Sequence, residues 1–215
     1  MLITVTSAQS LLPTSMQQTD DLILITGFEP FSIYTKNPSE QVALQLNNTN
    51  IQNYTIKGYV LPVNYTAAPA KMKQLITQFQ PSLIISLGLD GKANAICIEK
   101  IGINLRINPE AQFPLSTLKK VNDTGPWIQL ATYDIVGIVN KIQQQGIAVE
   151  QSYSAGFYLC NAVLYETLFY QQEKQHSVPT GFIHLPPLKT QDPNGMSLEI
   201  MIQAVTAAIS AQIST

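Results

Sequence analysis

Charge is scarce in this sequence. Asp, Glu, Lys and Arg make up 12% of its 215 residues, and the formal net charge is -2. No basic run and no basic–aromatic stripe occurs, which argues against nucleic acid as a partner. Cysteine is scarcer still. Cys97 and Cys160 are the two present, too few and too far apart for a disulfide framework or a zinc ribbon. Long apolar runs are also missing. The longest are about a strand in length, and crossing a bilayer takes roughly 20 residues, so no membrane partner is expected. Histidine occurs twice, as His176 and His184, which leaves few candidates for an imidazole base.

What is present is a core-forming chain, 45% hydrophobic and long enough to bury a sizeable interior. Residues 1–21 are rich in Ser, Thr and Gln and lack the basic start and long apolar stretch of a secretory signal. They are expected to form an N-terminal extension, with 22–215 as one domain. Leu22-Ile23-Leu24-Ile25-Thr26 and Ser82-Leu83-Ile84-Ile85-Ser86-Leu87 are continuous apolar runs, the mark of strands buried on both faces. Further strands are expected near 54–63, 95–104, 147–149 and 180–185. Helices are expected from Asn37-Pro38 onward, after a Thr66 cap, over 131–145, over 158–170 and over 196–213. Asn37, Pro38 and Glu40 supply the cap, the first-turn proline and a capping-box residue. Strands alternating with helices predict an α/β fold, a three-layer α/β/α sandwich with a largely parallel, mixed central sheet. Residues 105–127 hold Pro109, Pro114 and Pro126 and no periodicity, so they form a candidate substrate loop.

Cys160 lies in Ser154-Ala155-Gly156-Phe157-Tyr158-Leu159-Cys160-Asn161, where a buried strand is expected to turn into a helix. A thiol in a first helical turn faces free backbone N–H groups and the positive end of the helix dipole, which favour its thiolate form. The alternative is a small packed side chain, a description that suits Cys97 inside its apolar strand. His184 ends the apolar run Phe182-Ile183-His184-Leu185-Pro186, at a sheet end where ligands collect. It is either a base for the thiol or a buried ring bonded to a carbonyl. His176 sits in a polar helix end and is expected to be solvated. Glu99 interrupts Ala95-Ile96-Cys97-Ile98-Glu99-Lys100-Ile101, and a carboxylate there needs compensation. An imidazolium, Lys100 or edge solvent could supply it. Cysteine, histidine and glutamate together would form an acyl-transfer triad with a thiol nucleophile.

Four segments, in order, resemble the pyrrolidone-carboxylate peptidases, the pyroglutamyl peptidase I family of cysteine peptidases. They are Thr26-Gly27-Phe28-Glu29-Pro30-Phe31 with Asn37-Pro38-Ser39, Ile98–Asn104, Ser154–Asn161, and Gly181–Pro186. The resemblance covers roughly residues 22–210. It implies an α/β/α sandwich that removes an N-terminal pyroglutamyl residue from peptides through a thioester. It implies Cys160 as nucleophile, His184 as base then acid, and Glu99 as the group orienting the imidazole. Phe28 and Phe31 match the aromatic pair that holds the lactam ring, and Leu89, Tyr158 and Leu159 are expected beside them. The resemblance further implies no metal or cofactor and a homo-oligomer, tetramer or dimer; a free, functional thiol fits a reducing cytosol, so a cytoplasmic location is expected. Three stretches depart from the family pattern. Ser32-Ile33 replaces two glycines, Leu89-Asp90-Gly91-Lys92 replaces a Gly-Arg loop, and Arg106-Ile107-Asn108-Pro109 is a faint counterpart of the family's Arg-Ile-Pro-Asp-Asn. The alternatives to this function are a hydrolase of another small amide on the same scaffold, or a catalytically silent binding protein.

Overall fold

The computed structural model describes residues 21–108 and 118–213. The expected N-terminal extension lies outside the described residues except for Asp21, which already belongs to the first strand. In chain order the elements begin with β1 (Asp21–Phe28), α1 (Pro38–Leu46), β2 (Asn50–Ile51), β3 (Tyr54–Leu61), α2 (Ala67–Phe79) and β4 (Leu83–Leu89). Six short strands follow around one helix. They are β5 (Ile96–Glu99), β6 (Ile101–Ile103), β7 (Arg106–Ile107), β8 (Leu118–Lys119), β9 (Ile128–Leu130), α3 (Ile135–Gln143) and β10 (Val149–Ser152). The chain closes with α4 (Leu159–Glu173), β11 (Thr180–Leu185) and α5 (Leu198–Ile213).

Seven strands form the central sheet in the order β10-β5-β11-β4-β1-β3-β2. β3, β1, β4 and β11 run parallel to one another. β5 is antiparallel to β11, and β10 follows the direction of β5. The fold is therefore the expected α/β sandwich with a mixed, largely parallel sheet. β4 reads LIISLGL and is buried at all seven positions, as a strand covered on both faces should be. Alternation sorts its side chains. Ile85 and Leu87 pack with Ile25 and Ile183 under α1, α3 and α5, through Val42, Ile138 and Val205. Leu24, Ile84 and Phe182 pack on the other face under α2 and α4, through Met72 and Val163. Each such aliphatic side chain contributes about 1.5–3 kcal/mol on burial. The same parity fixes the site: Phe28, Gly88, Glu99 and His184 all belong to the α4 face of their strands.

Several expectations are corrected. The strand predicted over 95–104 is two strands in different sheets. After Glu99 the chain leaves the central sheet: Lys100 N–H donates to Ser152 O at 2.8 Å and Lys100 O accepts from Ala131 N–H at 3.0 Å. β6 then pairs with β9 in a small separate sheet. The strand before Cys160 is not buried. β10 is the sheet's edge strand, half-exposed or exposed throughout, and runs against the parallel group. The loop 153–158 must therefore carry the chain back to the site edge. Thr66 makes no side-chain cap. Asn64 Oδ1 caps α2 instead, accepting from Thr66 N–H and Ala67 N–H, both at 2.9 Å. α3 begins at Ile135, not 131, because Asp134 Oδ1 accepts from Gly137 N–H at 3.0 Å and fixes its start. Within 105–127, β7 and β8 form a short antiparallel ladder. Residues 109–117 of that expected loop lie outside the described residues.

Candidate active site

The sheet brings Gly88, His184 and Cys97 side by side. His184 is in register with Gly88 on β4 and with Cys97 on β5. Glu99 faces Phe182, one diagonal step from His184. Diagonal neighbours across an antiparallel pair are within reach of long side chains, and Glu99 Oε1 meets His184 Nδ1 at 2.7 Å. Both are buried, Glu99 2% and His184 6% exposed. The imidazole answers the need of the buried carboxylate; neither Lys100 nor edge solvent is its partner.

Gly88 shapes the space beside His184. A Cβ at Gly88 would lie 2.9 Å from Cys160 Sγ and 2.8 Å from Phe182 Cζ. The thiol thus occupies the room that a side chain on β4 would fill. It reaches that point from the second residue of α4. Nδ1 of the imidazole being held by Glu99, Nε2 is left for Cys160. Burial disfavours the charged imidazole. The charge and hydrogen bond of Cys160, then the hydrogen bond and charge of Glu99, outweigh burial and lift the His184 pKa from 6.5 to about 10. The direction of the shift favours a protonated ring beside the sulfur.

Helix capping is arranged differently at this helix. Asn37 caps α1 and Asp134 caps α3 through side-chain oxygens, whereas Tyr158 at the start of α4 makes no such bond. The first N–H groups of α4, beside Cys160, thus receive no side-chain acceptor from the cap residue. Such donors bind an oxyanion well.

A cavity of about 170 Å³ opens at Cys160. Phe28, Phe31, Leu89, Tyr158 and Leu159 line it, as does Tyr65. Its walls are almost wholly apolar and hold no charged side chain. Phe28 is fixed at the wall by Ser39, whose Oγ accepts from Phe28 N–H at 3.0 Å and donates to Asn37 Oδ1 at 2.8 Å. Asn37 Nδ2 donates in turn to Glu29 O at 3.1 Å. The Asn37-Pro38-Ser39 run thus holds the aromatic loop as well as starting α1.

Sequence reasoning missed Val63, Asn64 and Tyr65, which also line the cavity. They follow the carboxyl end of β3, the parallel neighbour of β1, and that position was a usable signal. It also missed Tyr133. This buried hydroxyl lies 3.0 Å from Glu99 O and 2.7 Å from Phe182 O, so it bridges the strand pair that carries Glu99 and His184. Cys97 is buried, and its thiol donates to Glu150 Oε1 at 3.3 Å. Burial first, then the hydrogen bond and charge of Glu150, push its pKa up to about 12. His176 is exposed. Among the described residues no group of His, Cys, Asp and Glu could hold a metal ion, and no helix is long and apolar enough to cross a membrane.

Known proteins share this arrangement of chain. A family described as pyroglutamyl peptidase matches residues 21–215. The chain is similar to the pyrrolidone-carboxylate peptidase of Thermococcus litoralis, 33% identical over 205 residues, covering 89% of this chain and 92% of that one. The Pyrococcus furiosus protein of the same name is 33% identical over 205 residues, covering 89% and 97%. The solved pyrrolidone carboxyl peptidase of Thermococcus litoralis superposes with a TM-score of 0.83 at 32% identity, over 90% of this chain and 94% of that chain. On a match that runs from the first strand to the end of the sequence, this chain belongs to the pyroglutamyl peptidase family.

Proposed function

We propose that the protein is a cysteine peptidase that cleaves the amide bond after an N-terminal pyroglutamyl residue. Cys160 is its nucleophile, His184 its acid and base, and Glu99 the group that orients the imidazole. The observation that carries this reading is the meeting of Cys160 with a buried His184–Glu99 pair (2.7 Å) at the mouth of an apolar cavity. The pyroglutamyl ring is small, flat and uncharged, so apolar walls with a few hydrogen bonds hold it. A free amino terminus would need a carboxylate there, and the lining has none.

The protonated state of His184 orders the steps. The Cys160 thiolate attacks the pyroglutamyl carbonyl, and the carbonyl oxygen becomes an anion held by N–H groups at the start of α4. The carbon–nitrogen bond breaks as the imidazolium gives its proton to the departing amine, leaving a thioester and a neutral ring. That ring then takes a proton from water, whose oxygen attacks the thioester. Pyroglutamate leaves, and thiolate and imidazolium are restored. Glu99 keeps the ring in the orientation and tautomer that serve both transfers.

The same proposal takes residues 22–215 as one catalytic domain and the cytoplasm as its place, the latter supported by two free thiols. It also takes a homo-oligomer, dimer or tetramer. Trp127, Ile128 and Leu130 are exposed on and beside β9 and offer an apolar face for a second copy. The activity is tested by release of aminomethylcoumarin from its pyroglutamyl amide. Wild type is expected to release it and Cys160→Ala is not. An inactive wild type, or an equally active variant, would overturn the reading.

A further inference from the structure

Two of the three stretches that depart from the family pattern are linked through Tyr34, which follows Ser32-Ile33 and meets Gly91 of the Leu89–Lys92 stretch. Phe31 and Leu89 both line the cavity. Behind Phe31 the chain turns tightly: Tyr34 N–H donates to Phe31 O at 3.1 Å, and Ser32 takes φ 57°. That is the left-handed region, which costs a residue with a Cβ roughly 1–2 kcal/mol. The backbone thus keeps a glycine-type conformation although the residue is serine. The turn brings the Tyr34 ring against Phe31, with centroids 5.9 Å apart and planes at 57°. The far end of the same ring reaches the loop after β4. A Cβ placed on Gly91 would fall on the Tyr34 hydroxyl and lie 3.2 Å from its Cζ.

The Gly91 side of this contact is the firm one. Asp90 N–H donates to Leu185 O at 3.0 Å, Ala93 N–H to Asp90 O at 3.2 Å, and Lys92 N–H to Asp90 Oδ1 at 2.9 Å. Asp90 therefore ties the turn to the strand that carries His184. Tyr34 is half-buried and hangs from a surface turn, so a push at Gly91 moves Tyr34, and Tyr34 moves Phe31.

We propose that Tyr34 is a specificity-determining positioning residue, a wedge between the Phe31 wall and the Gly91 turn that sets the width of the cavity. The inference rests on the reading that this cavity receives the pyroglutamyl ring. Tyr34 touches neither the sulfur nor the imidazole, so its effect belongs in KM and not in kcat.

The test is a double-mutant cycle on the full chain, with KM and kcat read on pyroglutamyl aminomethylcoumarin. Gly91→Ala forces its methyl onto the Tyr34 hydroxyl and is expected to raise KM roughly tenfold, with kcat within about twofold. Tyr34→Phe shortens the wedge and gives a smaller rise, roughly twofold. In the double variant the missing hydroxyl makes room for the methyl, and KM returns to within about twofold of Tyr34→Phe alone. An unchanged KM in Gly91→Ala would overturn the proposal. So would a double variant no better than Gly91→Ala, because general loop damage is not repaired by removing one oxygen. A second readout does not depend on the substrate: the rate of Cys160 alkylation by N-cyclopentyl iodoacetamide relative to iodoacetamide. Gly91→Ala should lower this ratio and the double variant restore it; a ratio unmoved by Gly91→Ala would refute the wedge. A wild type inactive on the pyroglutamyl amide would sink the proposed function, and the ratio would still decide the role of Tyr34.

Discussion

Glu99→Gln changes one charge and almost no shape. The glutamine oxygen can still accept from His184 Nδ1, so the 2.7 Å contact survives while the carboxylate charge is lost. A charge partner at this distance typically moves a pKa by about 1–3 units. Cys160 acts on His184 more strongly than Glu99 does, so the lower part of that range applies, roughly 1–2 units. At about 1.4 kcal/mol per unit this is ~1.4–2.7 kcal/mol of imidazolium stabilisation. The ring is protonated at pH 7 before and after a shift of this size, so kcat/KM there should fall no more than a few fold, and the loss should grow to about 10- to 100-fold toward pH 11, where the variant has lost its imidazolium. The alkaline limb of the pH–rate profile, set in the wild type by a group with a pKa of about 10, should move down by the same roughly 1–2 units. Both are read from kcat/KM on pyroglutamyl aminomethylcoumarin between pH 6 and 11. A variant with wild-type kcat/KM and an unmoved alkaline limb would refute the reasoning, since Glu99 would then be an ordinary buried acceptor.

Other outcomes follow from the same geometry. Gly88→Ala places a Cβ 2.9 Å from Cys160 Sγ; kcat should fall at least about tenfold and alkylation of Cys160 should slow, with melting temperature as the control for folding. Tyr133→Phe leaves two buried carbonyls without their bridge and should cost about 1–3 kcal/mol in urea unfolding. In native protein at pH 7, iodoacetamide should modify Cys160 alone, because the Cys97 thiol is buried with its pKa near 12; mass spectrometry of the labelled peptides decides this. The folded protein holds the His184 proton more tightly than the unfolded chain, about 10 against 6.5. That stabilisation is complete below pH 6.5 and is lost as pH rises through 10. The wild-type urea midpoint should accordingly fall over that window more than that of Cys160→Ala.

The legible part of this protein was its local part. The apolar runs of β1 and β4, the Asn37-Pro38 helix start, and the three side chains that converge all announce themselves within a few residues. Cys160 stands in the first turn of a helix, His184 ends a strand, and Glu99 is a charge in an apolar run. The direction of β5 was not legible, because alternation is the same for parallel and antiparallel neighbours. Yet that direction sets Glu99 diagonal to His184. The edge position of β10 was hidden for the same reason. Contacts distant in sequence and without periodicity were invisible: the Tyr133 bridge, the Gly88 notch under the sulfur, and the meeting of Tyr34 with Gly91. Asn64 and Thr66 are both good caps, and only the backbone path after Pro62 selects Asn64.

The central claim is that Cys160 carries the acyl group. The direct measurement is to mix the protein with a pyroglutamyl ester, quench with acid within the first turnovers, digest, and weigh the peptide that contains Cys160. A pyroglutamyl mass increment is expected on that peptide alone, one that hydroxylamine removes and that Cys160→Ala lacks. Product release with no increment on Cys160, or an increment on Cys97, would contradict it.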